Sequence, residues 1–350
     1  MINSLINQHH FLSKKLQKDI FAIIFTKKIN TIIIGGPKGL GKRNFVLKLA
    51  KFILCNLEIT EEINIDLFEE KNFNFEKLKV TKSFYLFDNN SHPDFFYLYD
   101  EENKLGKTIP IENVRKFKNF FYKTSSISRI KIGIIDTIED LSINSQNLLL
   151  KTIEELPENS YLFVISNDPA NIMETIKSRC AFFYVNSLNR SKFDKFISDK
   201  YTDKSKDELK FIKNISFGSP GMAEKVEKND IFVFYKNLLD DLIRSTKHLK
   251  LKEDVREILS KKDNLLLISI MELIINDLIK KTVFYIEHQN HIDYTLDKEK
   301  ELIQKISNNR NTQEFIDLQS QIIKNMHLTH VVNLNKSDVL IAALKELSRV

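Results

Sequence analysis

A glycine-rich segment near the start of the chain carries residue types that bind phosphate. It occupies positions 35–42, between an apolar run at 31–34 and a stretch with helical apolar spacing. A strand, a glycine-rich turn and a helix in this order are the context of a P-loop. Three of its glycines allow backbone N–H groups to face a phosphate: Gly36, Gly39 and Gly41. Lys42 stands where a P-loop places its cation, so the segment predicts a phosphate site.

Two positions that serve hydrolysis depart from a working P-loop. Arg43 stands where Ser or Thr would coordinate Mg²⁺, and a guanidinium has no acceptor. The apolar run 131–135 ends in Asp136, as does the strand of P-loop proteins whose terminal aspartate reaches the metal. A buried strand that Asp136 merely caps explains the same pattern about equally well. Thr137 replaces the Glu that orients the attacking water, and we expect Glu139 not to substitute for it. These changes predict a loop that is built to hold a phosphate but is damaged for catalysis.

Three further segments carry polar residues of interest. The strand predicted at 161–165 ends in Ser166-Asn167-Asp168, which could sense a γ-phosphate or form a plain turn. His92-Pro93-Asp94 is more typical of a turn than of a site. An amphipathic helix at 144–156 ends at Pro157 and is followed, after another strand, by Ser178-Arg179-Cys180.

The composition narrows the classes of protein. The chain has 350 residues, a net charge of +6 and two cysteines, which indicates two or three domains and permits contact with nucleic acid without demanding it. Cys55 and Cys180 cannot form a four-thiolate zinc site, and the histidine pairs at one-turn spacing lack partners, so no zinc is expected. The N-terminus does not resemble a signal peptide, and the apolar stretch 265–283 contains charges. We therefore expect a cytoplasmic protein without a membrane span.

Taken together, these segments resemble the AAA+ clamp-loader family, and within it the delta-prime subunits of the bacterial DNA polymerase III clamp loader. The motifs that carry the resemblance lie at 36–42, 92–94, 135–136, 147–157, 178–180, 218–221 and 333–335. The helix at 147–157 followed by Ser-Arg-Cys is specific to clamp loaders, and His-Pro-Asp points to delta-prime.

The resemblance implies an architecture of three parts. Residues 1–185 would form an α/β AAA+ P-loop domain, with a parallel sheet flanked by helices. Residues 186–228 would form a small helical lid, and residues 229–350 an all-helical collar. The spacing of apolar residues adds a helix at 3–28, and the alternation at 84–87 adds a strand.

The resemblance also implies roles. Arg179 matches the arginine finger that clamp-loader subunits donate in trans to a neighbouring ATP site. Gly221 stands where motor subunits carry a lid arginine, and with Arg43 and Thr137 it makes three departures that imply a subunit that does not hydrolyse ATP. The chain would be a subunit of the DNA polymerase III holoenzyme without independent catalysis, in a pentameric ring with gamma/tau and delta subunits. The ring would act on the sliding clamp and grip primer-template DNA through phosphates. Lys42 and the glycines leave ATP or ADP binding without turnover open.

Two other functions remain open from the sequence. An active gamma/tau-type ATPase motor would need Ser or Thr at position 43 and an acid at 137. It would also usually carry a complete zinc knuckle after the P-loop helix, where this chain retains only Cys55. A small-molecule kinase of the P-loop class would leave Ser178-Arg179-Cys180 and the long helical tail unexplained.

Overall fold

The structure is a computed structural model that divides into two compact units, with the boundary between Leu188 and Asn189. The residues described are 12–26, 29–59, 75–99, 109–244, 265–288, 292–308, 311–332 and 336–348.

The first unit is built on a parallel sheet. Its strands in the described residues are β1 (Thr31–Gly35), β2 (Phe95–Tyr99), β3 (Lys131–Asp136), β4 (Ser160–Ser166) and β5 (Ala181–Tyr184). They lie in the order β2-β3-β4-β1-β5, and each neighbouring pair runs parallel. The helices of this unit are α1 (Lys14–Thr26), α2 (Lys42–Ile59), α3 (Lys82–Asp88), α4 (Ile111–Phe121), α5 (Ile143–Glu154) and α6 (Glu174–Lys177), with short 3₁₀ turns at Glu76–Leu78, Ile138–Asp140 and Pro169–Asn171.

The sheet is buried on both faces, which explains its continuous apolar strands. Along β1, Ile32 and Ile34 pack into one hydrophobic cluster with α1 and α2, while Ile33 packs into the other with α4 and α5. All three isoleucines are fully buried, and each such side chain contributes about 1.5–3 kcal/mol of hydrophobic stabilisation.

The strand order brings three chain segments to one edge of the sheet. Strand β4 lies between β1 and β3, with Gly35 opposite Ser166 and Asp136 opposite Ile165. The carboxyl ends of parallel strands meet at the same edge, so the P-loop after β1, Thr137 after β3 and Asn167 after β4 are neighbours. Binding sites of open α/β sheets lie at this edge.

The second unit is all-helical in its described residues. Its helices are α7 (Arg190–Lys200), α8 (Lys206–Ser216), α9 (Pro220–Lys228), α10 (Ile231–Arg244), α11 (Leu265–His288), α12 (Asp297–Ser307), α13 (Thr312–Val332) and α14 (Lys336–Ser348). Asn189, Ser205 and Ser219 cap the first three, each accepting a backbone N–H with its side-chain oxygen. The predicted fold class, an α/β P-loop domain followed by helices, is confirmed. The division into a lid and a collar at residue 228 stays a prediction.

Two local predictions differ from the structure. The predicted strand at 84–87 is wrong, because these residues lie within helix α3. The Thr81 hydroxyl caps that helix by accepting the N–H of Phe84 at 3.2 Å, and a single helical turn buries Phe87 while Tyr85 stays 60% exposed. The predicted helix at 3–28 is seen from Lys14 to Thr26, and residues 1–11 and 27–28 lie outside the described residues.

Candidate functional site

The P-loop requires glycine where the sequence places it. Gly36, Gly39 and Gly41 have φ angles of 139°, 87° and 77°, a region that other residues rarely adopt. At Gly36 there is also no room, because an added Cβ would lie 2.2 Å from the carbonyl oxygen of Val185. The backbone therefore has the conformation of a phosphate-binding loop, and helix α2 begins directly after it at Lys42.

Lys42 is folded back onto the loop in this structure. Its side chain is buried, and Nζ donates to the carbonyl oxygens of Gly36 at 2.6 Å and Pro37 at 2.7 Å and to Oδ1 of Asn167 at 3.0 Å. Three oxygens thus engage the three ammonium hydrogens. Burial lowers the pKa of Lys42 to about 8, against the opposing effect of the carboxylates of Glu139 and Asp136.

Arg43 forms an ion pair with Asp136, and Tyr97 completes the cluster. The Asp136 carboxylate is 2% exposed, and its Oδ2 atom is engaged by Nε of Arg43 and by the hydroxyl of Tyr97 at 2.5 Å. Burial and the adjacent carboxylate both raise the pKa of the Tyr97 hydroxyl, so that it stays protonated and donates. Burial would lower the pKa of Arg43, but the carboxylate of Asp136 raises it above the ordinary value.

These residues do not fit a magnesium ion. Mg²⁺ takes oxygen ligands in near-ideal octahedral geometry, and P-loop proteins supply a hydroxyl after the lysine and an aspartate from the neighbouring strand. Position 43 offers a cation instead of the hydroxyl, and that cation already neutralises Asp136. The two protein groups that would hold the metal are therefore bound to each other.

Thr137 and Glu139 are both held by hydrogen bonds to the protein. The Thr137 backbone N–H and hydroxyl donate to Oδ2 of Asp140, at 3.1 and 2.9 Å, in a capping box. Oε1 of Glu139 accepts from the hydroxyl of Ser166 and from the backbone N–H groups of Asn167 and Asp168, both at 3.1 Å. The Glu139 carboxylate therefore does reach this edge of the sheet, where it fixes the turn after β4.

Sequence reasoning found part of this site. It singled out Lys42, Arg43 and Asp136, which the structure brings together, and it left Asn167 open between a phosphate sensor and a turn. It missed Tyr97, which lies in an aromatic strand without any motif, and the contact of Glu139 with Ser166. The only available signal for Tyr97 was its place on a strand next to the one that ends in Asp136.

Arg179 lies apart from the P-loop cluster, at the end of helix α6. Its Nε atom donates to Oε1 of Glu154 at 2.5 Å, and Nη1 donates to the carbonyl oxygen of Thr175 at 2.9 Å and to the hydroxyl of Ser178 at 3.3 Å. The side chain is 41% exposed, and among the described residues its Nη2 atom has no hydrogen-bond partner. In contrast, burial raises the pKa of the neighbouring Cys180 thiol to about 12, so this cysteine is unreactive.

His92-Pro93-Asp94 has a structural role. Nε2 of His92 lies 3.0 Å from the Ser83 hydroxyl and 3.2 Å from that of Ser128, and Nδ1 accepts the backbone N–H of Asp94 at 3.1 Å. The Asp94 carboxylate accepts backbone N–H groups at 2.7–3.0 Å from the loop before β3, namely those of Ser126, Ile127 and Ser128. The motif thus ties β2 to this loop.

The described part of the chain offers neither a cluster of metal ligands nor a helix that could span a membrane. It contains no group of three or more His, Cys, Asp or Glu residues that could hold a metal ion. Burial raises the pKa of the Cys55 thiol to about 11. No described helix is both long and apolar enough to cross a bilayer. Gly221, predicted to stand where motor subunits carry a lid arginine, lies in the first turn of α9.

The curated relatives of this chain include DNA polymerase III subunits named delta' and gamma. DNA polymerase III subunit delta' of Pseudomonas aeruginosa is 26% identical over 194 residues, which cover 55% of this chain and 54% of that protein. The subunit of the same name from Buchnera aphidicola subsp. Baizongia pistaciae is 27% identical over 178 residues, covering 50% and 49%. The chain thus spans about half the length of these two relatives.

The chain also resembles a solved structure and matches the model of one protein family. A DNA polymerase III gamma subunit-related protein from Thermotoga maritima aligns with 96% of this chain and 100% of its own, at 17% identity and a TM-score of 0.41. The family described as DNA polymerase III, delta subunit, matches residues 12–189, which are just over half of the chain. The predicted resemblance to delta-prime subunits is confirmed: the chain belongs to the DNA polymerase III delta subunit family.

Proposed function

We propose that the chain is a DNA polymerase III clamp-loader subunit that does not hydrolyse ATP and donates Arg179 to the ATP site of a neighbouring subunit. The observation that carries this proposal is the Arg43–Asp136 ion pair, which engages the groups that would hold a catalytic metal. Family membership supports the clamp-loader part, since the relatives are named as DNA polymerase III subunits.

The site lacks the groups that hydrolysis requires. In-line attack on a γ-phosphate needs a cation that bridges the phosphates and a group that orients the water. Asp136 is neutralised by Arg43, and Thr137 donates its hydroxyl to Asp140 at 2.9 Å. The Oε1 atom of Glu139 accepts the backbone N–H groups after β4, which fixes this carboxylate at that turn, while its Oε2 atom is buried without a hydrogen-bond partner among the described residues. The loss of both the metal-binding groups and the acid directly after Asp136 argues against ATP turnover more strongly than the loss of either one.

Arg179 has the properties of a finger donated in trans. A guanidinium stays charged and offers a rigid donor fork to phosphate oxygens. Glu154 and the Thr175 carbonyl hold the Nε and Nη1 side of the guanidinium, while the side chain is 41% exposed. These contacts orient the arginine without burying it, and they leave Nη2 available to an incoming phosphate. Glu154 belongs to the helix whose sequence is specific to clamp loaders, which gives that helix a positioning role.

The resemblance to this family supports the proposed partners and domain plan. We place the subunit in a pentameric ring with gamma/tau and delta subunits, acting in the cytoplasm on the sliding clamp and on primer-template DNA through its phosphates. Residues 186–228 would act as the lid and residues 229–350 as the collar that holds the ring together. The rival function, a gamma/tau-type motor, would require turnover by this chain itself.

Reconstitution of the ring tests the proposal. The chain would be combined with the gamma and delta subunits and the clamp of the same organism, and ATP turnover measured with primed DNA. An arginine finger contributes about 10³–10⁵ in kcat, so Arg179→Ala should abolish the share of turnover contributed by one neighbouring site. Arg115→Ala is the matched control, because Arg115 is an exposed arginine of the same unit, paired with Glu112 at 2.7 Å. Equal turnover of a fully assembled Arg179→Ala ring and the control ring would contradict the finger role.

A further inference from the structure

The Arg43 side chain provides the positive charge that a metal ion provides in other P-loop sites. It lies at the first turn of α2, directly after the loop lysine, and its Nε atom engages the buried carboxylate at the end of β3. These are the two positions from which P-loop proteins reach Mg²⁺. A guanidinium is a permanent single charge, so the buried carboxylate is neutralised without any metal.

Tyr97 makes this arrangement rigid. Its hydroxyl donates to the same Oδ2 atom that Arg43 engages, at 2.5 Å, and its ring stacks on that of Tyr99 with centroids 4.6 Å apart. The carboxylate of Asp136 therefore has two donors on one oxygen, and the guanidinium is anchored at its Nε edge. A divalent ion entering here would have to displace a cation from a carboxylate that is 2% exposed.

The remaining part of the guanidinium is accessible to a ligand. The side chain of Arg43 is 39% exposed, and the residue follows Gly41 and Lys42 directly in the chain. An arginine fork matches the oxygens of a phosphate group, and the loop N–H groups and the Lys42 ammonium add donors of the same kind. Lys42 would exchange its contacts with the Gly36, Pro37 and Asn167 oxygens for phosphate oxygens.

We propose that Arg43 replaces magnesium in this site, so that the loop binds the diphosphate or triphosphate group of a nucleotide without a divalent cation. The inference rests on the proposed function, since binding without a metal is compatible with a subunit that does not hydrolyse ATP. It assigns Arg43 the role of a ligand-binding residue rather than that of a damaged metal ligand. Inorganic pyrophosphate is the minimal ligand with this chemistry, and ADP adds the nucleoside.

Calorimetric titration of the full chain with inorganic pyrophosphate and with ADP tests the inference. Each titration is done with MgCl₂ and with EDTA, and affinities are expressed against free ligand. The wild type should bind with the same affinity in both, within about threefold, because its cation is built in. Arg43→Thr restores the hydroxyl of a working loop and frees Asp136, so its binding should become about tenfold or more tighter with MgCl₂ than with EDTA. Arg115→Thr, at the exposed arginine, is the control and should behave as the wild type.

Three results would overturn the inference. One is wild-type binding that needs MgCl₂, and another is the absence of binding of both ligands in both solutions. The third is an Arg43→Thr variant that is folded and as indifferent to MgCl₂ as the wild type. If Arg43→Thr does not fold, Arg43→Lys keeps the charge without the fork and should weaken pyrophosphate binding in EDTA. None of these results affects the ring assay with Arg179→Ala, so failure here is distinguishable from failure of the proposed function.

Discussion

The ion pair between Arg43 and Asp136 makes a quantitative prediction about stability. Removing one partner of a buried ion pair costs about 3–5 kcal/mol, because the other charge is left without compensation. Asp136 is 2% exposed, but Arg43 is 39% exposed and the Tyr97 hydroxyl would still donate to the carboxylate. We therefore expect Arg43→Met to lower the free energy of unfolding by about 1–3 kcal/mol, below the fully buried value.

A double-mutant cycle isolates the pair from other effects of the substitutions. In an Asp136→Asn background the buried charge is absent, so Arg43→Met should cost less than about 1 kcal/mol, and the coupling energy should be about 1–2 kcal/mol. Urea unfolding followed by circular dichroism measures each variant, with the transition of the first unit analysed separately because two units need not unfold together. The matched control is the cycle for Arg115 and Glu112, which are 57% and 65% exposed and should couple by about 0.5 kcal/mol or less. Equal coupling in the two cycles would refute the structural role of Arg43.

Three further predictions concern residues of the same unit. Folding lowers the pKa of Lys42 from 10.5 to about 8, so between these pH values the unfolded chain binds more protons than the folded chain. The stability of the wild type relative to Lys42→Met should therefore rise with pH in this range, by up to about 3 kcal/mol. A stability difference in urea unfolding that does not change with pH would contradict the burial of Lys42. Burial lowers the pKa of His92 below 6.5, although the carboxylates of Asp94 and Glu58 oppose this shift. The stability that neutral His92 contributes is therefore present above pH 6.5 and should be lost as the pH falls. Thermal unfolding of His92→Gln should show a weaker dependence on pH than that of the wild type. Gly36→Ala should lower the free energy of unfolding by about 1–3 kcal/mol, because the residue has a φ of 139° and its Cβ would clash with the carbonyl oxygen of Val185. An unchanged stability in urea would show that the loop adopts another conformation.

The parts of the site that sequence reasoning predicted are those that lie within short motifs. Lys42 and Arg43 follow the glycines directly, and Asp136 ends an apolar strand, so their roles can be inferred from neighbours in the chain. The contact of Tyr97 with Asp136 joins residues 39 positions apart. It depends on β2 and β3 being neighbours in the sheet, which no local pattern specifies.

The predictions that were wrong or left open depended on the backbone conformation of segments that lie between the motifs. The pattern of apolar residues at 84–87 was too short to distinguish a strand from one helical turn. The Thr81 side chain caps the N-terminus of the helix and so stabilises the helical conformation. The side chain of Glu139 reaches Ser166 because a 3₁₀ turn at Ile138–Asp140 directs it back across the end of β4. Spacing alone cannot show such a turn, so the position of this carboxylate could be learned only from the structure.

The central claim, that this subunit does not hydrolyse ATP, is tested most directly by ATP turnover of the purified chain alone, with and without primed DNA. Lys42→Ala, measured in parallel, sets the background from contaminating enzymes. We expect the wild type to show the same rate as Lys42→Ala in both conditions, because Asp136 is paired with Arg43 and Thr137, whose hydroxyl donates to Asp140, stands in place of an acid directly after it. Turnover by the wild type that Lys42→Ala abolishes would contradict the claim and identify the chain as a working motor.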